Sequence, residues 1–206
     1  MIVALLRCNR FIMRFLSLLT VTLFFISNIH AQSNLAEGIK WREKGNYIEA
    51  LKYFEKAKKT QPENLNVLKE YANAAFNAKK YGAALPVYEN LLKSDQKNLM
   101  YLIRLAKIYS FSSKKQLSAT YAEKALALNP TNPDDIFTLA EVFYFTKQYP
   151  KALVLYEKIT NTNDKALSRA AKSYTKLNRH KEAISAYEKI ILKKKTQVPL
   201  APLTLN

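Results

Sequence analysis

From residue 32 onward, small and aromatic residues recur with one long period laid over helical spacing. Gly38, Ala72, Ala106 and Ala140 stand 34 residues apart, and Ala171 follows after 31. A second small column, Ala50, Ala84, Ser118, Ala152 and Ala183, keeps the same intervals. Large residues are locked to both columns. Trp41, Tyr109, Phe143 and Tyr174 follow the first small residue by one helical turn, with Ala75 in the second unit. Phe54, Tyr88, Tyr156 and Tyr187 follow the second small residue by another turn, with Ala122 as the exception. Tyr47, Tyr81 and Tyr149 stand just before the second helix of their units, where Lys115 and His180 take the equivalent places.

This pattern predicts a pair of short antiparallel helices per unit. Small residues on one helix let its partner approach closely, and aromatic residues fill the space beside them. Breaks are expected at Lys44-Gly45-Asn46, at Gln61-Pro62-Glu63-Asn64 and at Asn129-Pro130-Thr131-Asn132-Pro133. The units run over about residues 32–64, 65–98, 99–132, 133–163 and 164–195. In the third, Phe111-Ser112-Ser113-Lys114-Lys115 replaces the usual turn, and Ser118 and Ala122 are expected to weaken the core. The fourth ends early at Asn161-Thr162-Asn163-Asp164.

The columns resemble the tetratricopeptide repeat family: a small residue in the first helix, an aromatic one turn on, then Ala, an aromatic and a closing Pro. The resemblance covers residues 32 to 195 and implies an all-α, right-handed superhelical solenoid. It also implies a concave face, lined by the first helix of each repeat, that binds extended peptides or helices. By phase that groove takes Lys69, Asn73 and Asn77 from the second repeat and Ile103, Arg104, Lys107 and Phe111 from the third. The fourth adds Phe137, Glu141, Tyr144 and Phe145, and the fifth Lys165, Arg169, Lys172 and Lys176. Aromatic platforms beside cations suit a peptide with apolar side chains and an acidic stretch or carboxylate. The family's two-carboxylate clamp is rejected. Lys69 and Asn73 match its opening, but Arg104, Asp134 and Thr138 stand where Asn, Lys and Arg are needed. An anion site around Lys69, Asn73 and Arg104 stays open.

Charge changes the picture of the partner. Thirty-three Lys and Arg against 16 Asp and Glu give a formal net charge of +17, which points to an anionic partner or to a solvated lysine-rich surface. The start of the chain then bears on compartment. Phe15 to Ile26 is an apolar core of signal-peptide length with Arg14 before it, and Ala31 precedes a cut ahead of Gln32. Met13 offers an alternative start, and an uncleaved anchor over Phe11 to Ile29 is the competing reading. Cleavage would remove Arg7, Arg10 and Arg14, leaving 30 basic against 16 acidic side chains, or +14. It would also remove Cys8, the lone cysteine, which is compatible with an oxidising export route. Export makes nucleic acid a poor candidate partner.

The chain is expected not to be an enzyme and to need no cofactor or metal. Past Ala31 it has one histidine, His180, in a column that holds Tyr in three other units, and no cysteine. Its glycines are isolated, so no phosphate loop is built. Asp134 and Asp135 are expected to cap a helix and complement its dipole. The expected function is therefore an exported, periplasmic or secreted, adaptor for a protein or peptide. The alternative is a binder of anionic envelope polymer or lipid headgroups through the basic surface. In the tail 196–206, Pro199 and Pro202 forbid a further regular helix. Val198, Leu200, Leu203 and Leu205 are expected to cap the last helix or dock on another subunit, a route to oligomers.

Overall fold

The computed structural model of the protein describes residues 32–197. The expected signal segment with Cys8, Met13 and the cut at Ala31, and the tail residues Val198, Leu200, Leu203 and Leu205, lie outside the described residues. Two compact units divide between Ser94 and Asp95. The first holds α1 (32–43), α2 (Tyr47–Thr60), α3 (Leu65–Asn77) and α4 (Tyr81–Ser94). The second holds α5 (Leu99–Ser110), α6 (Lys115–Leu126), α7 (Pro133–Phe145), α8 (Tyr149–Lys158), α9 (Asp164–Lys176) and α10 (His180–Gln197). Among the described residues every regular element is an α-helix.

Each helix starts and stops for a local reason. Asn64, Asn98, Asn132 and Asn163 precede α3, α5, α7 and α9, and each side chain accepts a hydrogen bond from a free amide of the first turn. At α7 the cap is Asn132, which accepts from the amides of Asp134 and Asp135. The two aspartates therefore supply charge to the first turn but not the cap expected of them. At their C-termini, α1, α3, α7 and α9 close through Gly45, Lys79, Lys147 and Asn178, all with φ between 50° and 75°. The pattern of bonds repeats: Asn46 N donates to Trp41 O, Lys80 N to Ala75 O, Gln148 N to Phe143 O and Arg179 N to Tyr174 O, at 2.8–2.9 Å. The third repeat differs, as its sequence indicates. At its turn between α5 and α6, Ser112 Oγ donates to Tyr109 O and accepts from Lys114 N, and no left-handed residue is used there. Tyr47, Tyr81 and Tyr149 are the first residues of their helices rather than the residues before them.

The two small columns are where the helices of a pair meet. Ala50, Ala72, Ala84, Ala106, Ala140, Ala152 and Ala171 have no exposed surface. In the third repeat Ser118 is also fully buried, and its hydroxyl donates to the Ala106 carbonyl at 2.7 Å. That bond satisfies the one polar group in the column. Tyr109 stacks on Tyr121 at 5.7 Å beside the buried Ala122. The third repeat is thus closed by a hydroxyl bond and a shifted aromatic pair, which corrects the expectation of a weakened core.

Within the second unit α5 packs with α6, α7 with α5, α6 and α8, and α9 with α8 and α10. Within the first, α3 packs with both α2 and α4. The tightest approach of α1 to α2 is at Gly38, where an added Cβ would overlap Cε1 of the fully buried Phe54. Gly38→Ala is expected to destabilise the protein by about 2 kcal/mol through overpacking, despite the better helix propensity of Ala. Urea denaturation reads this directly, and an unchanged midpoint would show that α1 and α2 are not in close contact.

Candidate functional site

In the second and fourth repeats the residue after the first-column small residue meets the tyrosine 15 positions on, one turn beyond the second column. In the second repeat the Tyr88 hydroxyl donates to Asn73 Oδ1 at 2.8 Å, and in the fourth the Tyr156 hydroxyl donates to Glu141 Oε1 at 2.6 Å. Both tyrosines are fully buried, so each phenol needs a partner, and the first helix supplies it. Asn73 and Glu141, expected to line a groove, therefore also complete the core.

In the second unit Glu141 is the centre of a larger network. It is 7% exposed and takes Arg169 in a two-pronged pair, Nε to Oε1 at 2.8 Å and a terminal guanidinium nitrogen to Oε2 at 3.0 Å. This pair ties α7 to α9. Glu123 and Lys151 tie α6 to α8 in the same manner, 28 residues apart. Burial and the bond to Glu141 push the Tyr156 hydroxyl well above the ordinary tyrosine range, so it stays a donor. The Arg169 guanidinium lies 5.7 Å from the Tyr144 ring and 5.9 Å from the Phe145 ring. Phe137 packs 5.8 Å from Tyr156 and, with Glu141, Lys165, Ser168 and Arg169, lines a cleft of about 370 Å³.

Beside this network an aromatic step is open to solvent. Phe111 and Phe145 are 55% and 40% exposed, with ring centroids 6.4 Å apart. The Lys107 ammonium lies 5.2 Å from one ring and 5.4 Å from the other. Burial pushes that ammonium below the ordinary lysine range; Glu141 acts against the shift and Arg169 adds to it. Phe111 reaches this place as the residue that ends α5 at the altered turn. A substitution in the repeat pattern has become a surface feature.

The other expected residues divide. Ile103 is 3% exposed and belongs to the core, because it lies on the buried side of α5; the sequence phase had put it in the groove. Arg104 is half-buried and its charge is felt by Asp135, whose carboxyl burial nonetheless raises. Lys165, Lys172 and Lys176 are exposed on α9. In the first unit Lys69 is exposed, and Asn77 lines a depression of about 480 Å³ with residues of the turns at Lys44–Ile48 and Ala78–Lys79. The structure brings Lys107, Phe111, Glu141, Tyr144, Phe145 and Arg169 together in one unit. What the sequence reading missed is the division of labour: Glu141 and Tyr156 bond to each other, and the 15-residue spacing shared with Asn73 and Tyr88 was the available signal. Among the described residues no group of three or more His, Cys, Asp or Glu is placed to hold a metal ion.

These paired helices and capped turns define a helix-hairpin repeat protein, and comparison with known proteins places it. Tetratricopeptide repeat profiles match residues 42–108 and 101–132, and a profile described as anaphase-promoting complex, cyclosome, subunit 3 matches residues 118–190. The chain belongs to the tetratricopeptide repeat family. A Drosophila melanogaster protein, "BBSome complex member BBS4 homolog", is 26% identical over 162 residues, covering 71% of this chain and 33% of the relative. The chain therefore spans about a third of that relative's length. Among solved structures, a crystal structure of MamA superposes with a TM-score of 0.68 at 20% identity, covering 84% of this chain and 98% of that one. MamA from Desulfovibrio magneticus gives 0.69 at 18% identity, covering 82% and 97%. A tetratricopeptide repeat protein from Parabacteroides merdae gives 0.65 at 17% identity, covering 82% and 68%. These solved structures, all at 20% identity or below, share the fold of this chain.

The Glu141 network has a measurable consequence. Glu141→Ala leaves Arg169 and the Tyr156 hydroxyl without their acceptor and is expected to cost about 3 kcal/mol. Tyr156→Phe is expected to cost about 1 kcal/mol, and the double variant less than the sum of the two. Denaturant melts of the four proteins give the cycle; strict additivity would show that the two groups do not interact.

Proposed function

We propose that this protein is an exported adaptor that holds a protein or peptide on the face carrying Lys107, Phe111, Phe145 and Arg169. The carrying observation is the pair of exposed phenylalanines flanked by two cations. Exposed aromatics beside guanidinium and ammonium groups are the residue types that dominate binding energy at protein interfaces. The ligand this favours carries an apolar side chain to sit against the two rings and a carboxylate within reach of Lys107. Arg169 is already paired with Glu141, so Lys107 is the cation with charge to offer. The names of the relative and of the profile over residues 118–190 denote members of complexes, which supports an assembly role. Export rests on the apolar segment from Phe15 to Ile26 and the small residue at Ala31. Amino-terminal sequencing of the exported protein is expected to begin at Gln32, and a product that retains Phe15 to Ile26 would replace export by anchoring.

The groove reading is tested by fluorescence anisotropy with a labelled peptide ending in an acidic residue followed by a C-terminal leucine or phenylalanine. Phe111→Ala with Phe145→Ala is expected to weaken binding at least about tenfold. The melting temperature should barely change, since both rings are substantially exposed. Equal binding by the variant would remove this face from the function. The alternative, an anionic envelope polymer or lipid headgroup held by the basic surface, rests on the net charge of +17. It predicts binding that collapses between low and moderate salt and does not depend on Phe111 and Phe145.

A further inference from the structure

α10 carries an unfinished interface. On α8, where α9 packs, Leu153 and Tyr156 are closed to 3% and 0% exposure. Thirty-one residues on, the same columns on α10 hold Ile184 and Tyr187, which are 59% and 41% exposed. Ile191 extends the stripe by a further turn at 53% exposure. The inner side of the same helix is occupied normally, with Ala183 and Ala186 buried against α9. Among the described residues no helix packs on the outer stripe. At three other second helices among the described residues the next repeat's first helix packs on this surface: α3 on α2, α7 on α6 and α9 on α8. The shape of the open face is therefore that of a seat for one more helix of the same kind.

Charge selects the occupant. Between Asp164 and Gln197 the chain has ten Lys and Arg against three Asp and Glu. Lys181 and Lys195 are exposed on the helix that bears the stripe. Two copies of this end brought face to face would meet cation against cation, which opposes a self-interface. An acidic helix would find both the apolar seat and the opposite charge. We infer that the outer face of α10 is a docking surface for an acidic amphipathic helix of a partner protein, centred on Ile184, Tyr187 and Ile191. This surface is separate from the Phe111–Phe145 face, and neither proposal depends on the other.

The test uses the full chain and a labelled 18-residue amphipathic peptide, with Leu and Ala at helical spacing on one face and Glu on the other. Saturable binding is expected, weakened at least about tenfold by Ile184→Lys with Ile191→Lys. Both side chains are more than half exposed, so circular dichroism should show the fold and melting temperature retained. No binding by the full chain, or equal binding by the double variant, overturns the proposal. A concentration-dependent dimer in sedimentation that the double variant abolishes would assign the face to a second copy and overturn it. Binding seen only after truncation beyond Gln197 would make residues 198–206 the occupant and overturn it as well. Binding to phosphatidylserine vesicles that the double variant abolishes, with no binding of the peptide, would assign the face to membrane and also overturn the proposal.

Discussion

The structure depends on how closely the two helices of each pair approach. The small columns at Gly38, Ala72, Ala106, Ala140 and Ala171, and at Ala50, Ala84, Ser118, Ala152 and Ala183, remove side-chain bulk where the helices meet. Close approach has three consequences. It leaves no room for a Cβ at Gly38, and it brings the Ser118 hydroxyl onto the Ala106 carbonyl. It also sets the reach of the aromatic one turn beyond. At that separation the phenols of Tyr88 and Tyr156 meet Asn73 and Glu141, the first-helix residues beside the small column.

The candidate site inherits its geometry from that constraint. Glu141 is held by the core through Tyr156, and in turn it fixes Arg169 on the next repeat, so α7 and α9 are joined by a pair whose acid is buried. The pair fixes the Arg169 guanidinium beside the Tyr144 and Phe145 rings. The third repeat contributes through its departures. Its turn lacks the left-handed residue used by the other first helices, and Phe111 ends α5 there with more than half its surface exposed. Ala122 replaces the tyrosine that would otherwise bond to position 107, so Lys107 keeps its charge free of a phenol partner.

Much of this was legible in the sequence because period and residue size are read directly. The columns gave the helix pairs and the family. The Asn64, Asn98, Asn132 and Asn163 caps recur at nearly the same period and carry a readable signal, although only Asn64 and Asn132 have prolines nearby to mark the break. Lys79 and Lys147 in left-handed conformation were not legible, since lysine carries no signal for it and the bonds of the helix end impose it. Ile103 was misplaced because phase along one helix does not say which neighbouring helices cover it. The open stripe on α10 was expected to meet the tail, and its character emerged only when Ile184 and Tyr187 were compared with Leu153 and Tyr156 in place.

In the function proposed, roles are divided across α5, α7 and α8: Glu141 and Tyr156 hold the repeats together, while Lys107, Phe111 and Phe145 receive the ligand. Side-chain NMR during titration with the acidic, apolar-ended peptide tests it most directly. The account predicts saturable shifts in the Phe111 and Phe145 ring signals and the Lys107 methylenes, with the Tyr156 ring unmoved. Shifts centred on Tyr156, or none at the two phenylalanines while the peptide binds, would contradict it.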